Sequence, residues 1–282
     1  MASKDYFSGK RVYITGGSSG IGLAAAEQLA AGGADVLLLA RDESRLKAAA
    51  DRVEANRRGS GRQCAWYCFD VTDEPAVTRT IDRAAAEFGP PDILIACAGG
   101  ARPDYFDRLS AARFDYTIQV NLYGTRHVVA AALPHMPKLG GHIVTIASVA
   151  GLLGVFGYTD YSAAKFAIVG FAEALRAELR PLDVNVSVLC PPDTDTPGLT
   201  AENLSKPAET SAISQSARTL SPEKVARVML KGVRRRKFLI IPGFDAKLSV
   251  LAKRFCPKLV FWVMDRTVAR LHKNTAQKEH AS

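Results

Sequence analysis

The strongest constraint on this chain is a rhythm. Short, nearly unbroken apolar runs alternate with stretches of helical periodicity along most of the sequence. The runs occupy residues 11–15, 35–40, 64–69, 92–97, 142–147, 184–189 and 238–241. A strand with one wet face alternates polar and apolar residues, whereas a strand covered on both faces reads as a continuous apolar run. Continuous strands separated by helices therefore predict an α/β fold with a doubly wound parallel sheet. At 282 residues the chain fits one such domain with an extension. The expected division is a catalytic-type domain over 1–243, including a Pro-, Thr-, Ser- and Asp-rich covering segment at 191–220, and a basic, apolar extension over 244–282.

Immediately after the first strand stands Thr15-Gly16-Gly17-Ser18-Ser19-Gly20-Ile21-Gly22, leading into a helical run from Leu23 to Ala31. Glycines at such a turn let the backbone approach a pyrophosphate, whose charge is favoured at a helix N-terminus. Placed between the first strand and the first helix of an alternating chain, the turn predicts dinucleotide binding. At the end of the second strand, where an acidic residue would bind a ribose hydroxyl, the sequence has Ala40-Arg41-Asp42. Arg41 suits a 2′-phosphate, which favours NADPH over NADH. Asp42 can cap the following helix at the same time. Asp70, at the end of the third strand, is positioned either to place the adenine or to form the turn.

Tyr161 and Lys165 lie four residues apart in a helical run opening near Tyr158 and continuing through Phe166, Ile168, Phe171, Leu175 and Leu179. That spacing puts both side chains on one face. A phenol with an ordinary pKa of about 10 is made more acidic by a neighbouring ammonium, so the pair can serve as a proton donor. An isolated pair of this kind is ordinarily just a half-exposed helix face, and only the surrounding chain overturns that reading.

With the Gly16/Gly20/Gly22 turn, Asn121, Ser148, Tyr161 and Lys165 in that order, the sequence resembles the short-chain dehydrogenase/reductases over about residues 9–242. The resemblance implies a seven-stranded Rossmann sheet. It also implies a site in which Tyr161 protonates the carbonyl oxygen and Ser148 hydrogen-bonds it. Lys165 would hold the nicotinamide ribose and tune Tyr161, and Asn121 would support a water leading to Lys165. It further assigns Ser18, Ser19, Ile21, Val71, Ala98, Gly99 and Pro191 to the cofactor, with the Thr194 backbone and the Thr196 hydroxyl on the carboxamide. One departure stands out: Ala96-Cys97-Ala98-Gly99 replaces the family's Asn-Asn-Ala-Gly, which puts the local geometry there in question.

The stretch Pro191-Pro192-Asp193-Thr194-Asp195-Thr196-Pro197-Gly198, with residues 153–157 and 162–171, is similar to the 3-ketodihydrosphingosine reductase branch of that family. That likeness implies reduction of the long-chain amino ketone 3-oxosphinganine to sphinganine. The substrate's ammonium needs a carboxylate or carbonyl partner, and Asp193, Asp195 and Glu202 lie in the covering segment. Asp193 or Asp195 is expected to face it, although Asp195 or Thr196 before Pro197 equally reads as a helix start. The alternatives are a reductase of steroid or 3-oxoacyl ketones and, from another class, a dinucleotide-sensing protein without catalysis. The Pro191 stretch argues against the first, and the full Asn121, Ser148, Tyr161 and Lys165 set against the second.

Composition narrows the setting. Cys64, Cys68, Cys97, Cys190 and Cys256 are odd in number and lie mostly in strand-like runs, so they are expected to be reduced core residues, and no metal site is expected. The beginning of the chain has no apolar signal core, and no apolar run approaches the roughly 20 residues that span a bilayer. The expected location is cytoplasmic. Residues 231–282 hold thirteen Lys/Arg against three Asp/Glu, so the net charge of +9 resides in the tail. Cations interleaved with Leu248, Leu251, Phe255, Phe261 and Trp262 suit peripheral contact with an anionic bilayer. They equally suit a helix packed on the sheet or on a partner subunit; nucleic acid is not the expected partner. The family resemblance implies a homo-oligomer, dimer or tetramer.

Overall fold

The computed structural model describes residues 6–57, 63–137, 140–214 and 218–279, with side chains as far as Leu271. Residues 1–5 of the expected domain, 215–217 of the covering segment and 280–282 of the extension lie outside the described residues. Seven strands form one sheet: β1 (Arg11–Thr15), β2 (Asp35–Ala40), β3 (Cys64–Cys68), β4 (Ile93–Ala96), β5 (His142–Ile146), β6 (Asn185–Leu189) and β7 (Leu239–Ile240). Their order is β3-β2-β1-β4-β5-β6-β7, and every pairing is parallel. This is the doubly wound Rossmann arrangement expected from the apolar runs, with its crossover between β1 and β4.

The continuous runs have a simple cause. Along a strand, successive side chains point to opposite faces. Val12, Ile14, Val36 and Leu38 pack into one core layer, while Tyr13, Leu37 and Leu39 pack into the other. The first layer is closed by α1 (Gly20–Ala31), α2 (Glu43–Ala55) and, after two elements described below, α9 (Pro222–Arg234), through Leu29, Leu46 and Met229. The second is closed by α3 (Glu74–Glu87), α5 (Gly124–Ala132) and α6 (Thr159–Leu179), through Ile81, Val128 and Ile168. Helix α4 (Ala111–Ile118) precedes α5, and a five-residue π-helical turn over Gln119–Tyr123 joins them.

Local chemistry sets the helix starts. Asp42 accepts a hydrogen bond from the Arg45 backbone N–H (3.0 Å), Asp73 from that of Ala76 (3.0 Å) and Ser221 from that of Lys224 (3.3 Å). Helix α1 begins at Gly20, earlier than the apolar pattern suggests, because the glycines that make the turn also enter the first helical turn. Its N-cap, Ser19, makes no side-chain capping bond, and the first turn carries no acidic residue.

Two expectations require correction. Strand β3 is not covered on both faces; as the sheet's edge it leaves all five residues at least partly exposed. The cysteines are free, as expected, but only Cys190 is buried. Cys68 ends the edge strand and Cys256 links two exposed helices, so neither has a core to enter.

The covering segment folds as α7 (Pro197–Asn203) and α8 (Ala208–Ser214). The extension forms α10 (Phe244–Phe255) and α11 (Pro257–Glu279), with α11 packed against both α8 and α10. Among the described residues no helix is long and apolar enough to cross a membrane.

Candidate active site

The strand ends bring the expected site residues to one edge of the sheet. After β1, Gly16 adopts φ +67°, a left-handed conformation that glycine accommodates without penalty. Its Cα lies so close to Cys97 and Ala98 that a Cβ would sit 3.0 Å from their backbone atoms. The Thr15 hydroxyl ties the two strand ends together, accepting from the N–H groups of Cys97 (3.1 Å) and Ala98 (3.2 Å). The unusual Ala96-Cys97 pair therefore leaves the β1–β4 crevice intact. Ser18, Ser19 and Gly20 line a groove at the start of α1 together with Arg45 and Arg52.

Arg41 follows β2 as an exposed side chain. It donates to the Asp70 carboxylate (3.3 Å) and to the Tyr116 hydroxyl (2.9 Å). Burial would raise the Asp70 carboxyl, but hydrogen bonds from the Thr72 backbone and hydroxyl, reinforced by Arg41, hold it below the usual carboxylate range. Val71 is buried, and its carbonyl is fixed 2.9 Å from His127 Nδ1 on α5.

Asn121 sits in the π-helical turn, a distortion that re-aims side chains at functional sites. Its amide donates to the carbonyls of Gly100 and Thr117, both at 2.9 Å, and its Oδ1 accepts from the Gly100 N–H (3.3 Å). At Gly99 a Cβ would lie 2.6 Å from Asn121 Oδ1 and 3.3 Å from Lys165 Nζ, so only glycine fits between those groups.

Lys165 is 4% exposed and donates to the Ile146 carbonyl at 2.8 Å. Its Nζ lies 5.4 Å from the centre of the Tyr161 ring. Burial lowers its pKa to about 8, partly offset by Cys97, Cys190 and Glu202. The Tyr161 phenol is shifted upward, not downward as the Lys165 spacing alone predicts. Desolvation dominates, Glu202 adds to it, and the neighbouring Ser148 hydroxyl pulls the other way. The sequence showed that the cation was near; it did not show how little water reaches the phenol.

Ser148, just after β5, accepts from the Ala150 N–H (3.1 Å) and opens with Tyr161 onto one cavity. The cavity encloses about 1060 Å3, its open mouth included. Ile21, Pro191, Thr194 and Thr196 line one part of it, and Leu153, Val155, Leu199 and Ile213 supply apolar wall. A short bridge between Thr194 and Leu220 fixes the covering segment through the Asp193 carbonyl and the Asp195 N–H, not through those of Thr194. Thr196 caps α7, accepting from the Leu199 N–H at 3.2 Å, so the helix-start reading of this stretch holds.

The two candidate substrate aspartates part company. Asp193 lines the Tyr161 cavity, but its carboxylate is paired with Lys206 at 3.3 Å. Asp195 is exposed and lines the α1 groove instead, its backbone N–H held by the Leu220 carbonyl and α7 starting two residues further on. The acidic residue brought to the cavity without such a pairing is Glu202, which accepts from the Tyr158 hydroxyl at 3.0 Å. Its place on α7, five residues beyond Pro197, carries no periodic signal that sequence reading could use.

A parallel β3-β2-β1-β4-β5-β6-β7 sheet, a glycine turn at its crossover, and a Ser-Tyr-Lys set at the ends of β5 and on α6 define a dinucleotide-dependent oxidoreductase. Residues 10–207 match the short chain dehydrogenase family, and the chain belongs to it. It is 39% identical over 239 residues to the 3-ketodihydrosphingosine reductase of Mus musculus, covering 84% of this chain and 72% of that one. It is 38% identical over 253 residues to the 3-dehydrosphinganine reductase of Danio rerio, covering 89% and 76%. Among solved structures it resembles a short chain dehydrogenase/reductase from Burkholderia phymatum in complex with NAD, with a TM-score of 0.78, 28% identity, and coverage of 90% and 95%.

An upward-shifted Tyr161 is held as a neutral phenol, the state a proton donor requires. Replacing it with Phe removes that proton and the one phenolic donor of this helix that opens onto the cavity beside Ser148. Tyr161→Phe is therefore expected to lower kcat for ketone reduction by about 100- to 10,000-fold, with dinucleotide binding retained, as measured by steady-state turnover beside cofactor fluorescence titration.

Proposed function

We propose that this chain reduces 3-oxosphinganine to sphinganine with NADPH, in sphingolipid biosynthesis. The observation that carries the reading is the composition of one cavity. Tyr161 and Ser148 meet acidic groups there, for an amino ketone's polar head, and a wall of aliphatic side chains, for its chain. The relatives named above, similar over most of this chain, act in that reaction by name.

The residues present fit a dinucleotide: the Gly16 turn brings backbone close to the β1–β4 crevice, and Gly99 leaves room beside Asn121 and Lys165. Gly16, Ser18, Ser19, Gly20, Ile21 and Gly22 would hold the pyrophosphate, Asp70 and Val71 the adenine end, and Ala98, Gly99, Pro191, Thr194 and Thr196 the nicotinamide end. Bound NADPH supplies the hydride. In this reading Ser148 orients the ketone oxygen, and Tyr161 donates its phenolic proton to that oxygen as negative charge builds on it. Lys165 holds the ribose and, with Asn121, returns a proton to Tyr161.

Arg41, more than half exposed at the end of β2, would exchange its contact with Asp70 for the 2′-phosphate. Arg41→Ala is expected to reduce the kcat/KM preference for NADPH over NADH by about 10- to 100-fold. An unchanged preference would remove Arg41 from phosphate recognition.

The function itself is tested by following NADPH oxidation with 3-oxosphinganine beside a steroid ketone of similar apolarity. Turnover of the amino ketone alone is the expected result. Turnover of the steroid alone would move the assignment to another hydrophobic ketone.

In the same reading residues 1–243 are the catalytic domain and 244–282 a peripheral contact with the cytoplasmic face of a membrane. Phe244, Leu248, Leu251, Phe255 and Trp262 are all more than half exposed. Lys253 lies over the Phe261 ring (3.6 Å) and Arg266 over the Trp262 ring (4.4 Å), so cations and apolar groups share one surface. Removing residues 244–282 is expected to abolish flotation with anionic liposomes; unchanged flotation would reject the contact. The family resemblance implies pairing into a homo-oligomer through the helical elements that carry Asn121 and Tyr161, and Tyr123 and Phe166 are exposed on those elements.

A further inference from the structure

We infer that Glu202 is the residue that recognises the substrate's ammonium, and that Tyr158 holds it in place for that task. The inference rests on the reading that the substrate is a 2-amino-3-ketone.

In such a ketone the nitrogen and the carbonyl oxygen are carried by adjacent carbons, so the two atoms lie on the order of 3 Å apart. A carbonyl oxygen at Tyr161 and Ser148 therefore forces the ammonium into the same cavity, beside those hydroxyls. Two carboxylates line it, Asp193 and Glu202. Asp193 already faces Lys206, whose side chain is only 4% exposed, so its charge is matched from within the protein. Among the described residues no cation forms an ion pair with Glu202; its carboxylate accepts from the neutral Tyr158 hydroxyl. A carboxylate with restricted access to water and no cation within ion-pair distance gains most from an incoming ammonium.

The neighbourhood is built to keep Glu202 there. Tyr158 is buried, and its ring stands 5.5 Å from that of Tyr161. Its hydroxyl thus fixes the Glu202 carboxylate at a set distance from the proton donor. The arrangement also has an electrostatic consequence. The Glu202 charge raises the Tyr161 pKa, which makes the phenol a weaker acid. An ammonium bound between them offsets that charge, so the correct substrate restores the acidity of the group that must protonate it. A ketone without the amino group leaves the offset unmade.

The test compares 3-oxosphinganine with the same chain lacking the amino group, in wild type, Glu202→Gln and Asp193→Asn. The ratio of the two kcat/KM values is read. Glu202→Gln is expected to lower the amino-to-des-amino ratio by about 10- to 100-fold, the usual scale of a charge-assisted hydrogen bond. Asp193→Asn is expected to change it by less than about threefold. NADPH fluorescence verifies that each variant keeps its cofactor site. Equal losses on both ketones in Glu202→Gln, or a selective loss confined to Asp193→Asn, overturns the inference and leaves the reaction assignment standing. Failure of wild type to reduce either ketone overturns the assignment, and the inference with it.

A second arm needs no variant. Glu202 is held up to about 7, by burial first and by Asp193, against the pull of Tyr158, Lys206 and Lys165. Tyr158 and Tyr161 are shifted upward and stay protonated across this range, and Lys165 acts on both ketones alike. Lowering the pH through about 7 protonates Glu202 while the substrate amine stays charged. The wild-type ratio is therefore expected to fall as pH drops from about 7 to about 5.5, where an amine beside a carbonyl keeps its proton, and a ratio flat over that span overturns the inference.

Discussion

A sheet covered on both faces has no room for polar chemistry along its strands. In this chain Tyr13, Ile14, Leu37, Leu38 and Ile95 are fully buried, with successive residues feeding opposite cores. Backbone groups are satisfied by the ladder and most side chains by hydrocarbon, and a polar pair such as His142 with Ser187 is bonded within the sheet, so groups that must meet a ligand stand where strands end. That constraint places the Gly16 turn, Arg41, Asp70, Gly99, Ser148 and Pro191 at successive strand termini along one edge. The site is a consequence of the core.

Desolvation then governs the site's electrostatics. Lys165, Tyr161 and Glu202 are each withdrawn from water, and each is displaced toward its neutral form. Proximity of Lys165 to Tyr161 would by itself have made the phenol more acidic. The structure shows burial winning that contest in the protein alone, which leaves the phenol protonated and gives charges arriving with ligands a large influence over it. The cavity's acids, cations and phenols are for this reason best regarded as one coupled set.

The extension connects the cavity to the surface. Ala246 and Ser249 of α10 reach the cavity wall, while Phe244, Leu248 and Leu251 of the same helix are exposed. One helix thus contributes to both the enclosure of the apolar pocket and an apolar, cation-fringed surface. Helix α11 braces it by packing on α8, so the covering segment and the extension behave as neighbouring parts of one wall.

Much of this was legible in the residues. Seven apolar runs marked seven strands; for the five inner ones this is because a strand buried twice cannot hide its composition, while β3 and β7 are edges and only partly covered. The glycine turn and the Tyr161/Lys165 spacing were readable because each requires a particular residue type at a particular local geometry, whereas Asn121 and Ser148 were picked out by the resemblance to the family. Other features depend on which neighbours the finished fold supplies. Whether Cys68 is buried depends on β3 being the edge, and whether Tyr161 is acidified depends on how much water its pocket admits. The choice among Asp193, Asp195 and Glu202 depends on where α7 starts and on Lys206 coming to rest beside Asp193. The sequence by itself determined the sheet, the turn and the order of the reactive groups, since these follow from local periodicity and conformational preference. Only the tertiary structure decided burial, pairing and pKa, because those are set by contacts between segments far apart in the chain.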